Sequence, residues 1–224
     1  MTQAIYQPAT RVVVKICGIT SPADYDACKQ AGASFVGMVF FDRSPRNLSM
    51  QAATDLAAHT VQTGPGPARV ALTVDMDDDM LAAVVAAARP DYIQLHGNET
   101  PERGAAIRDR FDLPVIRAIR VASAADLEVC AAWDGIADWL LFDAKGDPEG
   151  LPGGTGHSFD WSLLANHGGT TRWMLAGGLS LDNVGRAIAV TGANALDVSS
   201  GVEHAPGKKD ASRIQAFVRQ AQLG

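Results

Sequence analysis

The sequence predicts an α/β protein with one domain, folded as a (β/α)8 barrel of the TIM type. Eight short runs rich in β-branched and aromatic residues alternate with eight Ala-rich stretches of helical periodicity. Eight such units in 224 residues leave roughly 28 residues each, close to the minimum for a βα repeat. The first run is followed by Cys17-Gly18-Ile19-Thr20, whereas a doubly wound dinucleotide fold would need GxGxxG at this point.

The eight strands are predicted from compact apolar runs that are too short to be helices and that end at polar or glycine residues. Strands that alternate with helices form parallel sheets, and their buried faces read as continuous apolar stretches. In order, the predicted strands are Val12–Cys17, Phe35–Phe40, Arg69–Val74, Tyr92–Leu95, Val115–Ile119, Trp139–Asp143, Trp173–Ala176 and Ala195–Ser199.

The helices are predicted from apolar residues at helical spacing and from their start signals. The first is the clearest, because Ser21 is a good N-cap, Pro22 suits the first turn, and Asp24 completes a capping pattern. In order, the predicted helices are Pro22–Gln30, Met50–Ala58, Met80–Ala88, Pro101–Arg110, Ala124–Trp133, Trp161–Asn166, Leu181–Val190 and Asp210–Gln220.

The domain organisation is predicted to be simple. Residues 1–10 are expected to form a flexible tail, since they lack the basic stretch and apolar run of a signal peptide. Residues 11–224 are expected to form the barrel, with no linker that would separate a second domain. No apolar run approaches the roughly 18 residues of a membrane span.

Composition excludes several functional classes. The net charge of −6 argues against nucleic-acid binding, because proteins that bind a phosphate backbone carry basic patches. The three cysteines are Cys17, Cys28 and Cys130, and they form no CxxC pair, which argues against a disulfide framework or a thiolate metal site. Reduced thiols are typical of a cytoplasmic protein. Cys28 and Cys130 are interpreted as inert buried residues.

Polar residues interrupt the apolar strands at positions where a barrel enzyme carries its chemistry. Active sites of such barrels lie at the C-terminal ends of the strands and in the loops that follow them. Cys17, His96, Asp143, Asp197 and Ser199 all lie at or near predicted strand C-termini. The sequence therefore predicts that these residues share one site.

Cys17 and Lys15 share one face of the first strand, because side chains alternate along a strand. Cys17 also precedes a helix N-terminus, whose partial positive charge favours a thiolate, although a buried, inert cysteine is an equally open interpretation. Lys15 needs a partner, since an unpaired buried ammonium is costly. Asp197 on the neighbouring eighth strand is one candidate, and a Schiff-base nucleophile is the other interpretation of Lys15.

Asp143 and His96 each have two interpretations. Asp143 ends an apolar strand, where a carboxyl group among apolar neighbours can serve as a general acid, or it caps the following turn. His96 follows the fourth strand and shares the inward parity of Gln94. It either donates a hydrogen bond to substrate or is a structural imidazole.

Two glycine-containing loops are predicted to bind a phosphate group. Gly177 and Gly178 follow the seventh strand, and Ser199, Ser200 and Gly201 follow the eighth. Glycine lets backbone N–H groups approach an anion, and phosphate sites recur in these two loops of barrel enzymes. Either loop alone would more simply be read as a tight turn.

Arg46 lies in the loop after the second strand, above the predicted barrel mouth. A guanidinium at this place suits bidentate capture of a substrate carboxylate. Considered alone, it would more simply be a solvated surface arginine.

The chain resembles the phosphoribosylanthranilate isomerase family from about Val12 to the C-terminus, through a series of motifs in the same order. The stretches that carry the resemblance are Val14–Thr20, Gly37–Phe40 with Ser44–Arg46, Gln94–Gly97, Leu141–Lys145, Gly153–Gly156 with Phe159–Trp161, Leu175–Leu179, and Asp197–Glu203 with Gly207–Asp210. Together these motifs are highly specific.

The resemblance implies an isomerase of tryptophan biosynthesis that works without cofactor or metal. Its substrate would be a small phosphorylated aminosugar, N-(5-phosphoribosyl)anthranilate, and no nucleic acid or membrane would be involved. By resemblance, Cys17 is the general base, Asp143 the general acid and Arg46 the contact for the anthranilate carboxylate, while His96 and Asp197 line the substrate. The protein would act as a monomer or a homodimer.

Three other functions remain as alternatives. An indole-glycerol-phosphate synthase-like lyase would use catalytic Lys and Glu residues at strand ends, and the first strand ends in Cys17 instead. A relative of the histidine-biosynthetic isomerase would be expected to carry Asp at that position. A non-catalytic phosphometabolite-binding barrel would keep the phosphate loops but would be free to lose the acid and the base, and both are present.

Overall fold

The computed structural model describes residues 11–144, 159–165 and 167–223. Its centre is a closed barrel of eight parallel strands in sequential order. The strands are β1 Val13–Cys17, β2 Phe35–Phe40, β3 Ala68–Thr73, β4 Tyr92–Leu95, β5 Val115–Val121, β6 Trp139–Ala144, β7 Trp173–Leu175 and β8 Ala195–Val198. The predicted (β/α)8 fold is confirmed. The tail predicted over residues 1–10 and the stretch 153–156 lie outside the described residues.

Six α-helices follow strands and pack on the outside of the barrel. They are α1 Pro22–Ala31, α2 Met50–Thr63, α3 Asp78–Ala88, α4 Pro101–Phe111, α5 Val184–Thr191 and α6 Ala211–Ala221. The capping pattern predicted for α1 is present, because Asp24 N–H donates to the Ser21 hydroxyl and Ser21 N–H donates to the Asp24 carboxylate.

Two of the predicted helices are wrong in type. The segments Ala124–Trp133 and Trp161–Leu164 are 3-10 helices. In the first, only Cys130 and Trp133 are buried. These two residues are three positions apart, so they align on one side of a 3-10 helix, where residues i and i+3 eclipse each other. Long α-helical packing on the barrel is therefore absent from this part of the described structure.

The barrel interior has two halves of different character. The lower half, here called the floor, lies at the N-terminal ends of the strands and is apolar. Phe35 contacts Tyr92 and Trp139 edge-on, with ring centroids 5.3 and 6.1 Å apart. Val70, Ile116, Leu141 and Met174 complete this cluster. The upper half, here called the mouth, lies at the C-terminal ends and carries the polar side chains.

A small element not predicted from the sequence follows β8. The strands β9 Glu203–Ala205 and β10 Lys208–Lys209 form an antiparallel hairpin before α6. The turn between them carries Gly207 at φ 73°. A Cβ at Gly207 would meet the Pro45 carbonyl oxygen at 2.4 Å, so glycine lets the hairpin pack on the loop after β2. No helix in the described part of the chain is long and apolar enough to cross a membrane.

Candidate active site

The mouth of the barrel brings together the side chains that the sequence placed at strand ends. Cys17 ends β1, His96 follows β4, Asp143 lies one residue before the end of β6, and Asp197 one before the end of β8. All four are less than a tenth exposed. β6 and β1 are separated in the barrel only by β7 and β8, so Asp143 and Cys17 flank the phosphate loops that follow those two strands.

The Cys17 thiol lies in a crowded, mostly dry environment. A Cβ on Gly37, its partner in β2, would lie 2.8 Å from the Cys17 sulfur, so glycine leaves room for the sulfur there. Burial raises the pKa of the thiol, while the charges of Lys15 and Lys209 act in the opposite direction. Burial is the largest of these influences, so the net pKa of the thiol lies above its ordinary value.

Lys15 forms the ion pair that was one of its two interpretations. Its ammonium Nζ lies 2.9 Å from Asp197 Oδ1, and the two residues are register partners in β1 and β8. Burial lowers the pKa of Lys15, but Asp197 and Cys17 raise it by more, so that its net pKa is above the ordinary value. A protonated amine has no free electron pair, which argues against the Schiff-base interpretation.

His96 connects Asp143 to Gln94. The Gln94 amide Nε2 lies 3.1 Å from His96 Nδ1, and His96 Nε2 lies 3.5 Å from Asp143 Oδ2. If the amide donates to Nδ1, the ring proton is on Nε2 and faces the carboxylate. Within the described residues, His96 Nε2 makes no hydrogen bond of good geometry. A small movement of Asp143 or His96 would therefore form a hydrogen bond without breaking another.

A pocket at the ends of β6, β7 and β8 holds most of the predicted phosphate-binding residues. Gly177, Gly178, Ser199 and Ser200 line it. Asp143, Ala176, Leu179 and Asp197 also line it. Gly177 and Gly178 both have positive φ, at 82° and 69°, a conformation that other residues rarely adopt. The pocket therefore joins the glycine loop directly to the candidate acid.

Gly201 is not among the residues that line the pocket, and its predicted contact with the phosphate stays a prediction. It forms an isolated parallel bridge with Ser180. A Cβ at Gly201 would meet the Leu179 carbonyl oxygen at 2.1 Å. Gly201 therefore allows the loops after β7 and β8 to touch, which shapes the pocket from outside.

Arg46 is buried at the edge of the mouth, so the interpretation as a solvated surface arginine is wrong. Its Nε and Nη2 lie 2.7 and 2.8 Å from the two carboxylate oxygens of Glu203. Glu203 Oε1 also accepts from Lys209 Nζ at 2.7 Å. The aliphatic part of the Arg46 side chain lies against Gly18, where a Cβ would meet Arg46 Cδ at 2.4 Å. This buried cluster of Arg46, Glu203 and Lys209 fixes the Arg46 side chain beside the loop that follows Cys17.

One side of the mouth is apolar. Cys17, Val39 and Leu72 are buried together there, with Phe41 and Val74 packed against them at lower burial. These residues come from β1, β2 and β3 and the positions that follow them, whereas the phosphate pocket lies at β6 to β8. The mouth thus offers an apolar surface on one side and a polar, glycine-rich surface on the other.

The family comparison agrees with this arrangement. Residues 14–220 match the family model described as N-(5'-phosphoribosyl)anthranilate (PRA) isomerase. This range includes the whole mouth.

The chain belongs to this family.

Individual members of the N-(5'-phosphoribosyl)anthranilate isomerase family are similar along nearly their full length. The family member from Parvibaculum lavamentivorans is 50% identical over 213 residues, which cover 94% of this chain and 98% of that protein. A crystal structure from Thermotoga maritima superposes with a TM-score of 0.83 at 35% identity, covering 95% of this chain and all of that one. Another structure of the family, in complex with reduced 1-(o-carboxyphenylamino)-1-deoxyribulose 5-phosphate, has a TM-score of 0.81 at 33% identity and the same coverage.

Several site residues were not assigned a role from the sequence. Glu203 and Lys209 lie within the stretches that carry the family resemblance, so their motif was visible, but their pairing with Arg46 was not. Gln94 was noted only for sharing the parity of His96. In the described ranges no three His, Cys, Asp or Glu side chains are grouped as metal ligands.

Proposed function

We propose that this chain isomerises N-(5'-phosphoribosyl)anthranilate to 1-(2-carboxyphenylamino)-1-deoxyribulose 5-phosphate in tryptophan biosynthesis. Family membership supports the reaction. The observation that carries the proposal from the geometry is the single pocket that joins Asp143 to the glycine loop and to Ser199 and Ser200. A pentose phosphate bound there by its phosphate would have its sugar ring beside Asp143, within the mouth that Cys17 also lines.

Asp143 is the general acid of the proposed mechanism. It donates its proton to the furanose ring oxygen as the C1′–O bond breaks and the anilinic nitrogen lone pair forms an iminium. His96, 3.5 Å from the Asp143 carboxylate, stabilises the resulting carboxylate by turning its Nε2 proton toward it. This hydrogen bond would offset part of the desolvation of the charge that develops at Asp143.

Cys17 is the general base. As a thiolate it removes the proton from C2′, and the electrons of that C–H bond form the enolamine double bond and neutralise the iminium. The enolamine then tautomerises to the ketone, with a proton returned to C1′. The iminium makes the C2′–H acidic, so a positioned base is sufficient, and each such proton transfer contributes roughly 10²–10⁴-fold.

Substrate orientation follows from the two sides of the mouth. The phosphate binds between the loop of Gly177 and Gly178 and the loop of Ser199 and Ser200, where backbone N–H groups approach an anion closely. The anthranilate ring packs on the apolar side near Val39 and Leu72. Holding a substrate at both ends aligns its reacting carbon with acid and base.

Arg46 is proposed to contact the anthranilate carboxylate while it remains attached to Glu203. Two of its nitrogens are bound by Glu203, which holds the guanidinium plane in one orientation. A planar guanidinium suits recognition of a carboxylate group. Asp197, held by Lys15 at the wall of the phosphate pocket, is proposed to face the sugar hydroxyl groups.

The proposed function includes an oligomeric state and a cellular compartment. The protein is proposed to act as a monomer or a homodimer. The three cysteines are free thiols, which fits a reducing cytoplasmic compartment.

The test supplies anthranilate and phosphoribosyl pyrophosphate together with the preceding transferase, and then follows the fluorescence of the intermediate. Addition of the protein is expected to remove that fluorescence at a rate proportional to its concentration. Cys17→Ser protein, added at equal concentration, serves as the matched control. Fluorescence that persists with the unaltered chain would overturn the proposed function.

A further inference from the structure

Lys15 is a fully buried charge that the proposed mechanism uses only to hold Asp197. It is 0% exposed and lies in the barrel interior above the apolar floor. A buried ammonium carries a large desolvation cost, and apolar residues of similar volume would fill the same space without it. The presence of lysine at this position therefore calls for a function other than packing.

The β1 and β8 register places Lys15 between a carboxylate and a thiol. Asp197 lies directly across from it in β8, with its Oδ1 2.9 Å from Lys15 Nζ. Cys17 is two residues farther along β1 on the same face, and the positive charge of Lys15 acts on its sulfur. Asp197 thus holds the ammonium in place, and the ammonium lies below the sulfur.

The other groups that face Cys17 explain why Lys15 has the leading effect. Lys209 approaches from the hairpin, but its ammonium is bound to Glu203 and to the Ser199 carbonyl oxygen, 2.7 and 3.1 Å away. On β2, the facing position is Gly37, which has no side chain. Arg46 also lies at this edge of the mouth and is bound to Glu203. Lys15 is the cation whose influence on the Cys17 sulfur is largest.

We propose that Lys15 is a positioning residue that stabilises the anionic sulfur of Cys17, with Asp197 keeping the Lys15 ammonium protonated and directed at that sulfur. This rests on the proposed function, in which Cys17 acts as the base. Lys15 transfers no proton itself. Its positive charge partly offsets the destabilising effect of burial on the Cys17 thiolate. The thiolate can then accept the C2′ proton.

The direct test is an NMR titration, without substrate, of protein labelled with a carbon isotope at cysteine Cβ. The chain has three cysteines, and serine substitutions assign their signals. Burial raises the pKa of Cys28 to about 12 and that of Cys130 to about 11, so both serve as internal references within the same titration. Lys15→Met is expected to raise the Cys17 midpoint by at least about one pH unit, a tenfold loss of thiolate at fixed pH.

The matched control is Lys208→Met, which removes an exposed lysine from the nearby hairpin. Its Cys17 midpoint is expected to equal that of the unaltered chain. An unchanged midpoint in folded Lys15→Met protein would overturn the proposal. Because this measurement uses no substrate, it separates failure of this inference from failure of the proposed isomerase activity.

A second variant guards against misfolding of Lys15→Met, which leaves the Asp197 carboxylate unpaired. The double variant Lys15→Met/Asp197→Asn removes both charges together. Lys15 influences Cys17 more than Asp197 does, so the midpoint is still expected to rise, by roughly half the single-variant effect. A midpoint that falls or stays constant would contradict the proposal.

The activity of the Lys15→Met enzyme gives a further readout that a purely structural role would not move. Its kcat is expected to fall at neutral pH by roughly tenfold and to recover as the pH rises, because more of the thiol then ionises. A loss of kcat that is the same at every pH would contradict the role of Lys15 in stabilising the sulfur anion.

Discussion

The floor and the mouth of this barrel are built from the same eight strands but obey different physical rules. The floor buries aromatic and aliphatic side chains, with Phe35, Tyr92 and Trp139 in edge-on contact. The mouth, only a few residues farther along the strands, buries Lys15, Asp143 and Asp197. The floor gains free energy from removing apolar area from water, whereas each charge in the mouth needs a partner to offset its desolvation.

The difference indicates that the N-terminal halves of the strands mainly stabilise the fold. The C-terminal halves carry the residues of the proposed reaction. Substitutions that change side-chain volume should have their largest effect in the floor. Substitutions that remove a charge should have their largest effect in the mouth. The following predictions test this division, in order of the expected change in free energy.

Asp143→Asn should have the largest effect on the reaction. The amide keeps the size of the side chain but cannot protonate the ring oxygen, so kcat should fall by about 10²–10⁴-fold with little change in Tm. The matched control is Asp138→Asn, just before the start of β6, where the carboxylate accepts the Val115 backbone N–H at 3.0 Å. Equal losses of kcat in the two variants would contradict the proposed difference between the mouth and the floor.

Trp139→Ala should have the opposite profile. Removing this indole from the floor leaves a cavity beside Phe35, and the free energy of unfolding should fall by about 3–5 kcal/mol. The kcat of the folded protein should be retained, since no residue proposed for the reaction contacts the indole. Denaturant unfolding and steady-state kinetics measure the two quantities, and Trp139→Phe should show a smaller loss of stability. A kcat loss comparable to that of Asp143→Asn would contradict the division.

Glu203→Gln should make the stability of the mouth less dependent on pH. Burial opposes ionisation, but hydrogen bonds from Arg46 and Lys209 prevail and lower the pKa of Glu203 below its ordinary value. A carboxyl group with a lowered pKa stabilises the fold above its unfolded-state pKa, and this stabilisation is lost as the pH falls through the folded-state value.

The variant should therefore lose about 1–3 kcal/mol of unfolding free energy at neutral pH. The difference between variant and unaltered protein should shrink as the pH falls through the acid range. Urea unfolding across that range checks both the size and the sign. A difference that grows toward low pH would contradict the ion-pair cluster.

Arg69→Met should have the smallest effect. Arg69 pairs with Asp91 on the outside of the barrel, with Nε and Oδ2 3.2 Å apart, and the Asp91 carboxylate is largely solvated. Exposed ion pairs contribute about 0–1 kcal/mol, so the free energy of unfolding should fall by no more than about 1 kcal/mol. A loss as large as that of Glu203→Gln would show that burial does not separate strong from weak pairs in this chain.

Much of the fold could be predicted from the sequence because the repeating signals are local. The strands β2 and β4 have the predicted bounds, and the others differ by one or two residues. The two 3-10 helices were not distinguished from α-helices, since apolar residues three positions apart fit one face of either type. The position of Cys17, His96, Asp143 and Asp197 in one mouth followed from the barrel rule alone.

The partners of the buried charges were harder to predict, because they depend on contacts between distant parts of the chain. Lys15 and Asp197 could be paired in advance, since closure makes the first and last strands neighbours. Arg46 and Glu203 are 157 positions apart, and their contact depends on a hairpin that the sequence did not reveal. The sequence also did not reveal that Gly201, predicted to bind the phosphate, forms the contact between the loops after β7 and β8.

The most direct test of the account compares two properties of Cys17→Ser: kcat for the isomerisation and the Kd for reduced 1-(o-carboxyphenylamino)-1-deoxyribulose 5-phosphate, the ligand bound in a structure of this family. The account predicts a kcat lowered by about 10²–10⁴-fold, because a hydroxyl is a far weaker base than a thiolate. It also predicts a nearly unchanged Kd, since phosphate and ring contacts remain. A variant that binds the analogue and turns over substrate at the original rate would contradict the assignment of Cys17 as the base.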